Sequence, residues 1–285
     1  MVKVVKSVAA AGAFTCLLLA LSACTQDSGA KSSADTTEQD KTLRIAAAAN
    51  LSDVLPSIVD SYQADNNVSK QDTLDIEVTY ASSGKLYAQI RAGAPYDIFL
   101  SANQEFPAKL ADESIANKAS ESVRPFTYTR GQLALYSVTE PLSSITPTSL
   151  SEVFSIANFT SNGKIAIANP DLAPYGAAAK AYLQSQKMYD TLNAQKRLIQ
   201  AENIGQAFQY AHTGNVDYGF VAQSQLVSIQ AKPEQFVILP PAAYPPILQD
   251  GIIINNTTAA AAFIGYLRSE VGQQHFSQAG YLSIN

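Results

Sequence analysis

The sequence predicts an α/β protein of two lobes, each a mainly parallel sheet flanked by helices, with a ligand cleft between them. Three observations carry this. Strand-like and helix-like stretches alternate over short connections from Leu43 to Ser101, and again from Lys164 to Ala222. The alternation breaks around Phe126–Val138, between the two blocks. Hydroxyl and amide residues recur where strands run into helices. Such alternation requires right-handed crossovers and parallel strands, and such sheets bind ligands at the carboxyl ends of their strands.

The first block opens with Leu43–Ala48, a short apolar strand that Ala49-Asn50-Leu51-Ser52 ends. Leu51, Val54, Leu55, Ile58, Val59 and Tyr62 then recur at helical spacing. Asn50 or Ser52 can cap that helix, and Pro56 is tolerated near its start. Ile76–Ala81 is the second strand, running into Ser82-Ser83-Gly84. Lys85–Ala92 follows as a short helix with Leu86 and Ile90 on one face, and Gly93 suits its C-terminal stop. Asp97–Ser101 is the third strand. Two hydroxyls and free backbone N–H groups at a helix start suit an anion without any cation. A lone Ser-Ser-Gly is more often a capping turn; repetition at four junctions makes it a candidate site.

In the second block Leu133–Ser137 is a strand, Glu140–Pro147 a Ser/Pro-rich loop and Leu150–Ile156 a short helix. Lys164–Ala168 is a strand, Asn169–Gly176 a loop, and Ala177–Gln186 a helix with Ala178, Ala181 and Tyr182 inward. Leu198–Ala201 leads into Glu202-Asn203-Ile204, and Gly205–His212 is helical. Tyr218–Ala222 and Phe236–Leu239 are strands, Ile252–Ile254 is apolar, and Thr258–Ser277 is a final amphipathic helix. Joints near Thr127–Arg130 and Ala243–Leu248 divide the fold into lobe 1, residues 42–128 plus 243–285, and lobe 2, residues 129–242. About 245 residues follow residue 41, enough for two lobes of ~120.

The first 23 residues read as a signal peptide. Lys3 and Lys6 form a basic start, and Val8–Ala20 is apolar but too short to span a bilayer. Leu21-Ser22-Ala23-Cys24 resembles the lipobox of bacterial lipoproteins, which implies a lipidated Cys24; an ordinary secretory signal is the alternative. Residues 24–41 are polar and low in complexity, a tether. Cys24 is the only cysteine after the signal, which excludes disulfides, thiol catalysis and cysteine metal sites from the folded part. His212 and His275 are the only histidines and lack ligand spacing, so they are placed on helix surfaces. Without Lys3 and Lys6 the net charge of −5 becomes −7, and with no basic cluster this argues against nucleic acid.

Three stretches carry a family likeness: RIAAAANLSDVLPSIVDSY, TYASSGKLYAQIRAGAPYDIFLSANQEFPAKL and KIAIANPDLAPYGAAAKAYL. From about Leu43 to Asn285 the chain resembles the periplasmic molybdate-binding protein of ABC importers. The likeness implies a type II periplasmic binding protein fold and a monomer. It implies molybdate or tungstate as ligand, no cofactor, no enzymatic activity and an ABC permease as partner. It implies an extracytoplasmic protein, held to the membrane through Cys24. Carried over by position, the ligand contacts are Ala49 and Asn50 after the first strand and the Ser83 hydroxyl. Tyr175 and the Ile204 backbone N–H complete them. One departure is Ala222, where some members place a tyrosine; Tyr175 is the candidate substitute.

The chemistry agrees. Molybdate is a dianion without a proton, so it only accepts hydrogen bonds, and hydroxyls, amides and backbone N–H groups suit it. Helix N-termini add partial positive charge. Phosphate keeps a proton near pH 7 and requires an acceptor, and the acids beside the hydroxyl and amide residues of the junctions are Asp53 and Glu202. Sulfate passes the same charge test and is the first alternative ligand. A secreted hydrolase is the second alternative, but there is no G-x-S-x-G elbow and neither histidine has an evident Ser/Asp constellation.

Overall fold

Two apolar strand runs, Ile45-Ala46-Ala47-Ala48 and Ile165-Ala166-Ile167-Ala168, lie near the middles of two separate five-stranded sheets and are buried throughout. Burial on both faces is what parallel strands covered by helices require. The computed structural model describes residues 42–66, 74–113, 124–143, 145–146 and 163–284. The signal peptide, Cys24, the tether and the expected helix Leu150–Ile156 lie outside the described residues.

The first sheet holds β1 (Thr42–Ala48), β2 (Asp75–Ala81), β3 (Ile98–Leu100), β4 (Phe126–Gly131) and β10 (Ile247–Ile253), in the order β2-β1-β3-β10-β4. β1 runs parallel to β2 and β3, whereas β10 is antiparallel to β3 and β4. The second sheet holds β5 (Leu133–Tyr136), β6 (Ile165–Ala168), β7 (Leu198–Ala201), β8 (Tyr218–Ala222) and β9 (Phe236–Ile238), in the order β7-β6-β8-β5-β9. Here β6 is parallel to β7 and β8, and β5 is antiparallel to β8 and β9. One strand in each sheet therefore runs against the other four. The expected two-sheet α/β architecture is the one observed.

Helices α1 (Leu55–Asn66), α2 (Ser83–Arg91) and α3 (Glu105–Asp112) follow the first three strands. α4 (Pro174–Ser185) and α5 (Tyr189–Ala194) follow β6, α6 (Ile204–His212) follows β7, and α7 (Gln223–Ser228) follows β8. α8 (Thr258–Leu267) and α9 (Glu270–Gln278) close the chain. The chain leaves the first sheet at Gln132 and returns between Ile238 and Ile247. The expected joint at Thr127–Arg130 thus coincides with β4, which stays in the first sheet to Gly131.

Several boundaries differ from expectation for local reasons. α4 begins at Pro174 rather than Ala177, because Pro at a first helical position gives up no hydrogen bond. Tyr175 is therefore helical, not in a loop. Asn50 sits in a 3-10 turn, Ala49–Leu51, and does not cap α1. The single helix expected over Thr258–Ser277 is two. Ser269 caps the second by accepting from the Gly272 N–H, and a Cβ at Gly272 would lie 2.3 Å from the Tyr266 carbonyl oxygen. β10 begins five residues before the expected Ile252, because its polar residues Gln249 and Asp250 are buried with hydrogen-bond partners.

Candidate anion-binding site

Four junctions meet at one small cavity of about 10 Å3. Ala48, Ala49 and Asn50 come from the end of β1; Ala81, Ser82 and Ser83 link β2 to α2. Ala173, Pro174 and Tyr175 begin α4, and Asn203 and Ile204 link β7 to α6. Ala102 lies beyond β3. The cavity is thus walled by the carboxyl ends of strands from both sheets, and it brings together Ala49, Asn50, Ser83, Tyr175 and Ile204. No Asp, Glu, Lys, Arg or His lines it. Three of the junctions are starts of α2, α4 and α6, whose first N–H groups have no intrahelical acceptor and carry the positive end of the helix dipole.

Proton bookkeeping separates the side chains that are free to donate from those already committed. Ser83 Oγ accepts the Ala102 N–H at 2.9 Å, which leaves the hydroxyl proton unspent. Ser82 spends its proton on Glu202 Oε1 at 3.0 Å. Asn203 caps α6, its Oδ1 accepting from the Gln206 N–H at 3.0 Å while its Nδ2 donates to Glu202. The Ile204 side chain is buried, so only its backbone N–H serves an anion. Asn50 Nδ2 donates to Gln249 Oε1 and to the Tyr281 hydroxyl, each at 3.0 Å, and its Oδ1 is buried with no partner among the described residues. Its amide hydrogens are therefore committed within the protein. Tyr175 accepts from Gln249 Nε2 at 3.2 Å, and burial pushes its phenol far above the usual range, so it stays a neutral donor. Ala222 is buried and does not line the cavity, whereas Tyr175 does.

Neither acid named from the sequence lines the cavity. Glu202 instead receives Ser82 and Asn203, and it stands 3.7 Å from Lys85 Nζ across the two sheets' elements. Further links cross the same divide. The Gly84 N–H donates to the Leu172 carbonyl at 2.8 Å, Ser224 Oγ to the Asn50 carbonyl at 3.4 Å, and Gln249 to Tyr175. Gln249, Tyr128 and Tyr281, which hold the donors from behind, were not legible as site residues. Gln249 sits in a strand that begins after Pro245-Pro246 and interrupts its apolar run with Gln-Asp, Tyr128 sits in the neighbouring β4, and Tyr281 precedes Leu282, which bridges to Arg130 of β4.

Lys85 is the basic side chain closest in sequence to the Ser-Ser junction, yet it is 53% exposed and paired with Glu202. An exposed pair of this kind contributes about 0–1 kcal/mol. Lys85→Gln is therefore expected to weaken anion binding by no more than about fivefold, with the difference shrinking as salt is added. Titration at two ionic strengths checks it; a large, salt-insensitive loss would mean an ion pair with the anion itself.

The histidines do not build a hydrolase. His275 Nδ1 lies 3.2 Å from Ser57 Oγ, but the pair is exposed on helices, and Ser57 already donates to the Val54 carbonyl. His212 pairs with the Tyr136 hydroxyl at 2.9 Å. Among the described residues no group of His, Cys, Asp and Glu is arranged to hold a metal ion.

Comparison with known proteins gives consistent matches. The family model of the bacterial extracellular solute-binding proteins matches residues 43–282. The molybdate-binding protein ModA of Rhodobacter capsulatus is 34% identical over 211 residues, 72% of this chain and 77% of the relative. YvgL of Bacillus subtilis, named as an ABC transporter substrate-binding lipoprotein, is 28% identical over 275 residues, covering 94% and 97%. The solved periplasmic molybdate-binding protein of Azotobacter vinelandii superposes with a TM-score of 0.71 at 30% identity, covering 85% of this chain and all of that one.

Proposed function

The chain belongs to the bacterial extracellular solute-binding proteins, and on that premise we propose that it captures molybdate, or tungstate, outside the cytoplasmic membrane and passes it to an ABC permease. One observation carries the reading: neutral donors and helix starts from both sheets surround a single cavity that no Asp, Glu, Lys, Arg or His lines. Such a wall offers hydrogen bonds and partial positive charge to a fully ionised oxyanion and offers the proton of hydrogen phosphate little to bind. We assign the anion contacts to the Ser83 hydroxyl, the Tyr175 phenol and the backbone N–H groups at Ala49, Asn50 and Ile204. The protein acts as a monomeric carrier and not as an enzyme.

The two chain crossings, at Gln132 and within Pro240–Pro246, are the proposed hinge, and closure about them brings the two halves of the wall together. Isothermal titration of the soluble part with molybdate, tungstate, sulfate and phosphate tests the reading. Molybdate and tungstate are expected to bind, and phosphate to be rejected. Sulfate binding more tightly than either would make the protein a sulfate carrier of the same architecture.

The lipid anchor rests on Leu21–Cys24 and on the likeness to the lipoprotein YvgL. Cys24→Ser is expected to appear in the soluble fraction, or to accumulate with its signal uncut, while the parent chain sediments with membranes. One acyl chain binds a bilayer only marginally, so more than one chain on Cys24 is required for retention. A processed, membrane-bound Cys24→Ser protein would refute the anchor.

A further inference from the structure

Gln249 is fully buried and does not line the cavity, yet it touches both halves of the wall. Its Oε1 accepts from Asn50 Nδ2 at 3.0 Å and shares the single Tyr128 hydroxyl proton, at 3.1 Å, with the nearer Ser101 carbonyl at 2.8 Å, and its Nε2 donates to the Tyr175 hydroxyl at 3.2 Å. A bulge places it there. The pairing of β10 with β4 slips between Gln249 and Asp250, leaving Tyr128 as the extra residue opposite.

The direction of each hydrogen bond in this chain follows from the one before it. The Tyr281 hydroxyl commits its single proton to the Asn50 carbonyl at 2.7 Å, so it must accept from the Asn50 side chain, which presents Nδ2. The same Nδ2 faces Gln249, which must present Oε1 and therefore turns Nε2 toward Tyr175. The phenol oxygen is then occupied as an acceptor, and its own proton has no acceptor among the described residues. A hydroxyl that accepts a hydrogen bond is polarised into a stronger donor. Were the Gln249 amide reversed, its Oε1 would take the phenol proton instead.

We propose that Gln249 is a positioning residue that turns the Tyr175 hydroxyl proton toward the bound anion, at the end of a one-way hydrogen-bond chain from Tyr281 through Asn50. Asn50 thereby serves the anion through its backbone, and its side chain serves the chain. The inference rests on the anion site proposed above. Gln249 links the first sheet to α4, so the proton is aimed only when the two halves are together.

The test is molybdate affinity by titration calorimetry for the parent, Tyr175→Phe, Gln249→Met, Gln249→Glu and the corresponding double variants. Tyr175→Phe is expected to weaken binding at least about 10-fold in the parent, and less than about twofold where Gln249 is Met or Glu, because the proton is no longer aimed. Met nearly preserves volume, and Glu offers only acceptors. Should neither Gln249 variant fold, Tyr281→Phe breaks the chain upstream and is expected to shrink the Tyr175→Phe penalty in the same way. An equal Tyr175→Phe penalty in every background overturns the positioning role while leaving the anion site standing, as does no penalty in the parent. A parent that binds no oxyanion overturns both.

Discussion

Ser83→Ala is expected to weaken molybdate binding by roughly 10- to 150-fold, the equivalent of about 1.5–3 kcal/mol for one hydrogen bond to a charged acceptor. Ser83 is the first residue of α2 and is buried, and its oxygen already accepts the Ala102 N–H. The hydroxyl proton therefore has one use left, in the cavity. Alanine keeps the helix start and its dipole, so the loss reports the hydroxyl alone. It also leaves the Ala102 N–H without its acceptor, so the ligand-free melting temperature must be measured beside the affinity. Ser82→Ala is the informative neighbour, since that hydroxyl donates to Glu202 and not to the anion. An unchanged affinity in Ser83→Ala would remove the hydroxyl from the site.

Gly131→Ala is the second large effect, and it acts on closure instead of on a donor. A Cβ at Gly131 would lie 2.1 Å from the Tyr175 hydroxyl oxygen, 2.7 Å from its ring carbon and 2.8 Å from Gln249 Nε2. Gly131 ends β4 in the first sheet, whereas Tyr175 belongs to α4 against the second, so most of the clash exists only when the halves meet. Overpacking of this kind costs about 1–3 kcal/mol, or roughly 5- to 150-fold in affinity. The ligand-free protein should melt near the parent's temperature. Small-angle scattering should show the parent contracting on saturation with molybdate and the variant contracting less. Parent-like affinity with full contraction would show that the phenol can move aside without loss.

Much of the fold was legible because its signals are local. Apolar runs such as Ile165–Ala168 are strands, Ser82-Ser83-Gly84 opens a helix, and Asn203 before Ile204 caps one; each depends on a few adjacent residues. The cavity wall shares this property, since it consists of strand-to-helix junctions, and that is why Ala49, Asn50, Ser83, Tyr175 and Ile204 could be brought together from the sequence. What stayed hidden depends on distant partners. Gln249 and Asp250 look like loop residues until Asn50, Tyr128 and Thr127 arrive to satisfy them. The role of the Asn50 amide is invisible without Tyr281, 231 residues away. The break between α8 and α9 needs the close approach of Gly272 to the preceding turn.

The place of β10 has a consequence for how the chain is made. Every strand of the second sheet comes from one uninterrupted stretch, Leu133 to Ile238, whereas the first sheet needs β10 between β3 and β4. During synthesis and export the second sheet can therefore complete itself from consecutive residues. β4 meanwhile has no partner in its own sheet until residues near Ile247 emerge. The half that begins first is finished last. A chain cut short between β4 and β10 would carry a β4 with no strand beside it, an unpaired edge of the kind that recruits other chains.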